Sequence, residues 1–139
     1  MLRYEREIWG AAPGEMLAGV DEAGRGCLAG PVVAGAVTMP RQLAETLFAG
    51  ELACLTDSKQ LSPARRERYF DLLSHRDGIA LATGWCSAAE IDRLNILAAT
   101  HLAMRRAIES LAVRVGRALV DGLPVKGLPC PSTAIVQGD

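Results

Sequence analysis

Asp21 and Glu22 stand side by side in the stretch GVDEAGRG, residues Gly19–Gly26, and Arg25 follows between two glycines. A third acid, Asp121, lies far downstream in ALVDG. Each acidic site follows a short apolar run and is followed by glycine. Three hard oxygen donors with no histidine among them suit Mg²⁺ or Mn²⁺ rather than zinc. The plainer alternative is a set of surface acids at strand ends, with Asp121-Gly122 a simple turn. Adjacent strand residues point to opposite faces. Asp21 and Glu22 therefore share one site only if their strand ends or bends there, and the glycines beyond supply that freedom.

A second group, LTDSKQLS, sets Asp57, Ser58 and Lys59 just before a capped helix. Lysine and hydroxyl donors in that position suit a phosphate, although alone the stretch reads as an ordinary polar connection. Gly24 to Ala29 also fits G-x-G-x-x-A, a dinucleotide-binding fingerprint. That fingerprint must open a helix, whereas Pro31 and the valines after it predict a strand, and acids directly before the glycines repel a pyrophosphate. Context therefore argues against a nucleotide-binding oxidoreductase.

The elements that must position these residues follow from pattern. Glu15–Val20 reads as a first strand and Pro31–Met39 as a second, close enough to pair antiparallel. RQLAETLFAG predicts a short helix closed by Gly50. A longer helix starts at Ser62 as N-cap with Pro63 at its first position, and Gly78 lies beyond its end. Ile79–Cys86 reads as a third strand, and Ser87–Glu90 as a capping box opening a short helix. In NILAATHLAMRRAIESLAVR the residues Leu97, His101, Met104, Ile108 and Leu111 form one apolar stripe. His101 on that stripe reads as structural. Arg65, Arg66 and Arg68, and later Arg105 and Arg106, read as solvated helix faces. Arg117–Gly122 is a fourth strand, parallel to an earlier one because a long helix precedes it, and TAIVQGD is a fifth. The class is α/β: antiparallel first strands, then parallel crossover strands. If the first and fourth strands are parallel neighbours, Asp21, Glu22 and Asp121 meet at the carboxyl edge of the sheet.

Bulk properties fit one domain over residues 1–139, half of it hydrophobic, with a net charge of −1. That charge argues against a strongly basic nucleic-acid binder, though not against a locally basic groove. Only 4% of residues are aromatic, which leaves few stacking platforms. Cys27, Cys54, Cys86 and Cys130 are dispersed without a C-x-x-C pair, and read as small buried hydrophobes rather than a zinc site. No apolar run approaches the ~18 residues of a membrane helix, and the N-terminus lacks a signal-peptide pattern. A cytoplasmic monomer with no membrane partner is the expectation.

Taken in order, GVDEAGRG, DSKQLS, EIDRLNIL, ALVDG and AIVQGD resemble ribonuclease HII over Leu17 to Asp139. The resemblance implies an RNase H-like mixed sheet flanked by helices. It implies a Mn²⁺- or Mg²⁺-dependent endonuclease that cuts the RNA of RNA–DNA hybrids and single ribonucleotides embedded in duplex DNA, leaving 3′-hydroxyl and 5′-phosphate ends. Asp21, Glu22 and Asp121 resemble three of the family's four metal-binding carboxylates. Gly24, Arg25 and Gly26 resemble the loop that recognises the ribose 2′-hydroxyl, and Ser58 and Lys59 resemble residues near substrate phosphates. Members of the family continue past a Gly-Asp pair like Gly138-Asp139 into a helix bearing the fourth carboxylate. The expectation is thus a C-terminally incomplete domain whose sheet exposes apolar surface where that helix belongs. The alternative to cleavage is a fragment that binds metal or hybrid duplex without cutting.

Overall fold

The structure is a computed structural model, and it describes residues 2–24, 30–55, 60–122 and 124–135. Elements run in the order α1 (Arg3–Ala11), β1 (Leu17–Ala23), β2 (Val32–Thr38), α2 (Arg41–Ala49), α3 (Pro63–Ser74), β3 (Ala80–Cys86), α4 (Ala88–Leu94), α5 (Ile96–Glu109), β4 (Arg117–Asp121) and β5 (Ser132–Ile135). They build one sheet in the order β3-β2-β1-β4-β5. β1, β2 and β3 pair antiparallel, and β4 joins β1 and β5 in parallel. This is the α/β, RNase H-like mixed sheet expected from the sequence.

Local chemistry explains most boundaries. The Ser62 hydroxyl accepts from the Arg65 N–H at 3.2 Å and opens α3. Ser87 and Glu90 form both halves of the capping box of α4. Asn95 adopts φ 76, ends α4 and caps α5 by accepting from the Ala98 N–H at 2.9 Å. One polar side chain thereby joins two helices without a loop.

β1 starts at Leu17 and continues through Ala23, two residues later at its start and three later at its end than the sequence pattern suggests. Pattern reading also omits α1. Its Trp9 and the preceding Leu2 are buried with Leu17, Ala44 and Leu119, and the Trp9 indole donates to the Glu15 carbonyl at 3.0 Å. A charged surface along α1 obscures this widely spaced apolar pair.

Helix α5 covers one face of the sheet, and its buried side matches the expected stripe at Met104 and Ile108, with Leu111 buried just beyond its end, but not at Leu97. Ala99, Thr100, Ala103, Met104, Ala107 and Ile108 are buried, while Leu97 is 50% exposed. Small residues win this face because the helix lies against the strand backbone. A Cβ at Gly84 would collide with the Ala103 carbonyl and the Ala107 N–H of α5. Behind it, Arg106 donates to the Trp85 carbonyl at 2.8 Å and to Glu90 Oε2 at 2.8 Å. Arg106 therefore ties α5 to β3 and α4 and is not a freely solvated charge, whereas Arg105 is exposed and pairs along the helix with Glu109. Nor are the cysteines uniformly buried: Cys86 is, Cys130 is half-buried and Cys54 is exposed, and Cys27 lies outside the described residues.

On the opposite face α1 covers the amino end of β1 and β4, and α3 stands along the far side. Between them runs an open groove of about 890 Å³, walled by Phe70 and Leu73 and floored by residues including Val37, Leu81 and Leu119. Phe70 is 62% exposed. Apolar surface is open on this face among the described residues.

Two outcomes follow. Gly84→Ala forces α5 off β3 and is expected to cost about 3 kcal/mol in denaturant unfolding. The Arg106 guanidinium and the Ser87 N–H hold the Glu90 carboxyl at about 2, below its ordinary 4.5. A depressed carboxyl stabilises the fold above its ordinary value and loses that contribution as pH falls through the folded value. Melting temperatures of the wild type and Glu90→Gln should therefore differ most above about pH 4.5 and converge towards pH 2.

Candidate active site

The parallel register of β1 and β4 matches Leu17 with Arg117 and Val20 with Val120. Asp21 and Asp121 are the next residues on the two strands. Ala18, Val20, Ala118 and Val120 are buried on the α5 side. Alternation then places Asp21 and Asp121 on the other face, where both line the open groove. Neighbouring strands lie about 4.8 Å apart, so two exposed carboxylates stand side by side at the carboxyl edge of the sheet. Buried valines immediately before each acid fix the backbone, so the position of the pair is set by the core.

Asp21 Oδ1 accepts from the Glu22 N–H at 2.8 Å, which turns that carboxylate along the strand edge. Glu22 itself stays within β1 and pairs with Ala34, so the strand end expected just before the two acids is absent. Its half-buried side chain alternates towards the α5 side. The structure thus brings Asp21 and Asp121 together and leaves Glu22 on the other face. Among the described residues no group of three or more acids, histidines or cysteines is placed to hold a metal ion. Two adjacent carboxylates nevertheless fit Mg²⁺ or Mn²⁺ in donor type. Mg²⁺ keeps several waters and is commonly held by one or two carboxylates together with substrate phosphates.

The chain leaves this edge through two glycines that need their conformation. Gly24 has φ 84, and a Cβ there would lie 2.8 Å from the Pro31 carbonyl oxygen. Gly122 has φ 107 directly after Asp121, and its N–H donates to the Ile135 carbonyl at 2.9 Å. Arg25 and Gly26 lie outside the described residues, as do Ser58 and Lys59. His101 is half-buried beside the loop after β4, where its Nδ1 faces the Lys126 N–H at 3.5 Å. That setting agrees with a structural histidine.

One residue near this edge escaped the sequence reading. Trp85 is 56% exposed. The signal was present in β3, where Ala82, Gly84 and Cys86 alternate with Leu81, Thr83 and Trp85; small residues mark the covered face and Trp85 the open one.

Comparison with known proteins locates this arrangement in a family. A family model described as Ribonuclease HII matches residues 18–136. A ribonuclease HII of Rhodospirillum rubrum is 52% identical over 128 residues, covering 92% of this chain and 57% of the relative. One from Synechococcus elongatus is 46% identical, covering 99% of this chain and 63% of the relative. Among solved structures, ribonuclease H2 from Pyrococcus horikoshii superposes with a TM-score of 0.66 at 30% identity, covering 86% of this chain and 61% of that one. The chain therefore spans about three-fifths of the length of these relatives.

The turn beside the acids is testable without any assay of function. Gly24→Ala places a side chain in left-handed backbone against the Pro31 carbonyl. It is expected to lose about 1–2 kcal/mol in chemical denaturation, while Gly14→Ala, whose Cβ meets nothing within 4 Å, changes stability little.

Proposed function

This chain belongs to the ribonuclease HII family, and from that premise we propose that it carries the catalytic part of a divalent-metal-dependent endoribonuclease. Its substrates are the RNA strand of RNA–DNA hybrids and single ribonucleotides embedded in duplex DNA. One observation of geometry supports the reading most strongly: Asp21 and Asp121 stand side by side on parallel strands, at the open carboxyl edge where a duplex has access.

Asp21 and Asp121 are the residues that would hold Mn²⁺ or Mg²⁺; Glu22, which family resemblance assigns to the same cage, would join them only if its side chain turned away from the α5 face. The cation would supply Lewis acidity and positive charge at the phosphodiester. The reaction is hydrolysis. A water oxygen bonds to phosphorus, the bond from phosphorus to the 3′ oxygen breaks, and that oxygen takes up a proton. The ends are a 3′-hydroxyl and a 5′-phosphate. The carboxylates orient the reacting groups and balance the cationic charge. Alone they repel a polyanion, so substrate affinity and metal occupancy rise together.

Discrimination of RNA from DNA needs contact with the 2′-hydroxyl. Gly24, Arg25 and Gly26 are assigned to it by resemblance. Gly24 suits the part because the backbone at a glycine can come close to a sugar without a side chain intervening. Ser58 and Lys59 are assigned to substrate phosphates on the same ground, a hydroxyl and an ammonium being ordinary phosphate donors.

The test is cleavage of a labelled hybrid by the purified chain with Mn²⁺ or Mg²⁺, against an all-DNA duplex. Asp21→Asn keeps size and removes charge. It is expected to lower the rate by roughly 1000-fold, about 4 kcal/mol of barrier, with an unchanged melting temperature. Binding of the hybrid without cleavage by the wild type would favour a binding fragment instead, and near-normal cleavage by Asp21→Asn would remove the carboxylate pair from the mechanism.

A further inference from the structure

Trp85 has no part in the mechanism above, yet its place in the sheet relates it directly to the carboxylate pair. Across the antiparallel strands Asp21 pairs with Gly35 and Gly35 with Thr83; two residues further on, Ala23 pairs with Val33 and Val33 with Trp85. Gly84 and Cys86 face α5, so Trp85 projects from the opposite face, the one that carries Asp21 and Asp121. Two strand spacings and two residue rises put it about 12 Å from Asp21. It stands at the carboxyl end of β3, beyond the Thr83 end of the apolar groove.

Three features set this ring apart from an incidental surface apolar residue. A tryptophan 56% exposed leaves a large aromatic surface in water, a cost that contact with a ligand or partner removes. Its backbone is held, because Arg106 donates to its carbonyl at 2.8 Å while pairing with Glu90. A ring on a clamped strand is presented in one place, which favours precise contact. Finally, the chain has a net charge of −1. Phosphate attraction alone is a weak source of affinity for such a protein, whereas stacking on an aromatic ring is insensitive to charge and tolerant of sequence.

We propose that Trp85 is a nucleic-acid contact, its exposed ring packing against a sugar or base of the bound substrate about three or four nucleotides from the scissile linkage. The inference rests on the ribonuclease reading and deepens it: this residue positions substrate and does not touch the reacting atoms.

Kinetics and fluorescence test it together. Trp85→Ala is expected to raise KM for a hybrid about 10-fold and to leave kcat within about twofold, with Trp85→Phe recovering most of the loss. The KM ratio should hold between about 50 and 200 mM salt, because no released counterion is involved. In the wild type, Trp9 is 3% exposed and Trp85 56%, so acrylamide quenching of tryptophan emission reports chiefly Trp85. Adding hybrid in Ca²⁺ in place of Mg²⁺ should reduce that quenching severalfold. Unchanged KM in Trp85→Ala, unchanged quenching on adding hybrid, or shielding of Trp85 already in the free protein would each overturn the proposal. Failure of the wild type to cleave any hybrid would instead count against the ribonuclease reading, and the quenching result would stand apart from it.

Discussion

Everything at the carboxyl edge depends on the parallel pairing of β1 with β4. Were the two strands antiparallel neighbours, Asp21 and Asp121 would lie at opposite ends of the sheet. Parallel pairing needs a crossover between them, and the chain supplies it with α4 and α5. The crossover in turn needs a face on which α5 can lie. Gly84 provides it by letting the helix backbone approach β3 where any side chain would intrude. A glycine on one edge of the sheet thus helps decide where two acids meet on neighbouring strands. The link runs through packing and involves no direct contact.

The two sheet faces divide the labour. On the α5 side, alanines and valines from β1, β2 and β4 are buried, which fixes register because a one-residue slip would exchange the faces. On the other side the same strands present Gly19, Asp21, Leu119 and Asp121, and the acids come last, past the buried valines. Charge repulsion between them is borne at a rim open to water, where its cost is lowest. The core can therefore remain intact while the rim carries two neighbouring acids.

How far the sequence made this legible depended on how local each signal was. The capping box at Ser87 and Glu90, the N-cap at Ser62 and the strand at Val32–Thr38 are set by neighbouring residues, and the pattern places them well. The pairing of Asp21 with Asp121 was reachable because the long helix before β4 forces a crossover. The buried side of α5 was read in part: Met104, Ile108 and Leu111 are buried as their spacing suggests, but close backbone approach also selects alanines that a search for large apolar residues passes over. The end of β1 was misplaced for a related reason. Acids signal a strand end only where they leave the ladder, and Glu22 remains paired with Ala34. Arg106 looked like a surface charge because its partners, Glu90 and the Trp85 carbonyl, come from other elements.

Arg106 also shows how the surroundings of the site are held independently of the acids. Its guanidinium joins Glu90 at the start of α4 to the Trp85 carbonyl on β3, and its own helix covers the sheet that carries the acids. Loosening this node would free β3, which pairs on one side only among the described residues, before it disturbed β1 or β4 in the centre. The carboxylate pair would keep its register, because Val20 and Val120 hold it from the core. What would shift is the outer strand with its exposed ring. The fold therefore separates the geometry of the carboxylate pair, fixed centrally by strand pairing, from that of the exposed Trp85 ring, fixed peripherally by one ion pair and one close helix contact.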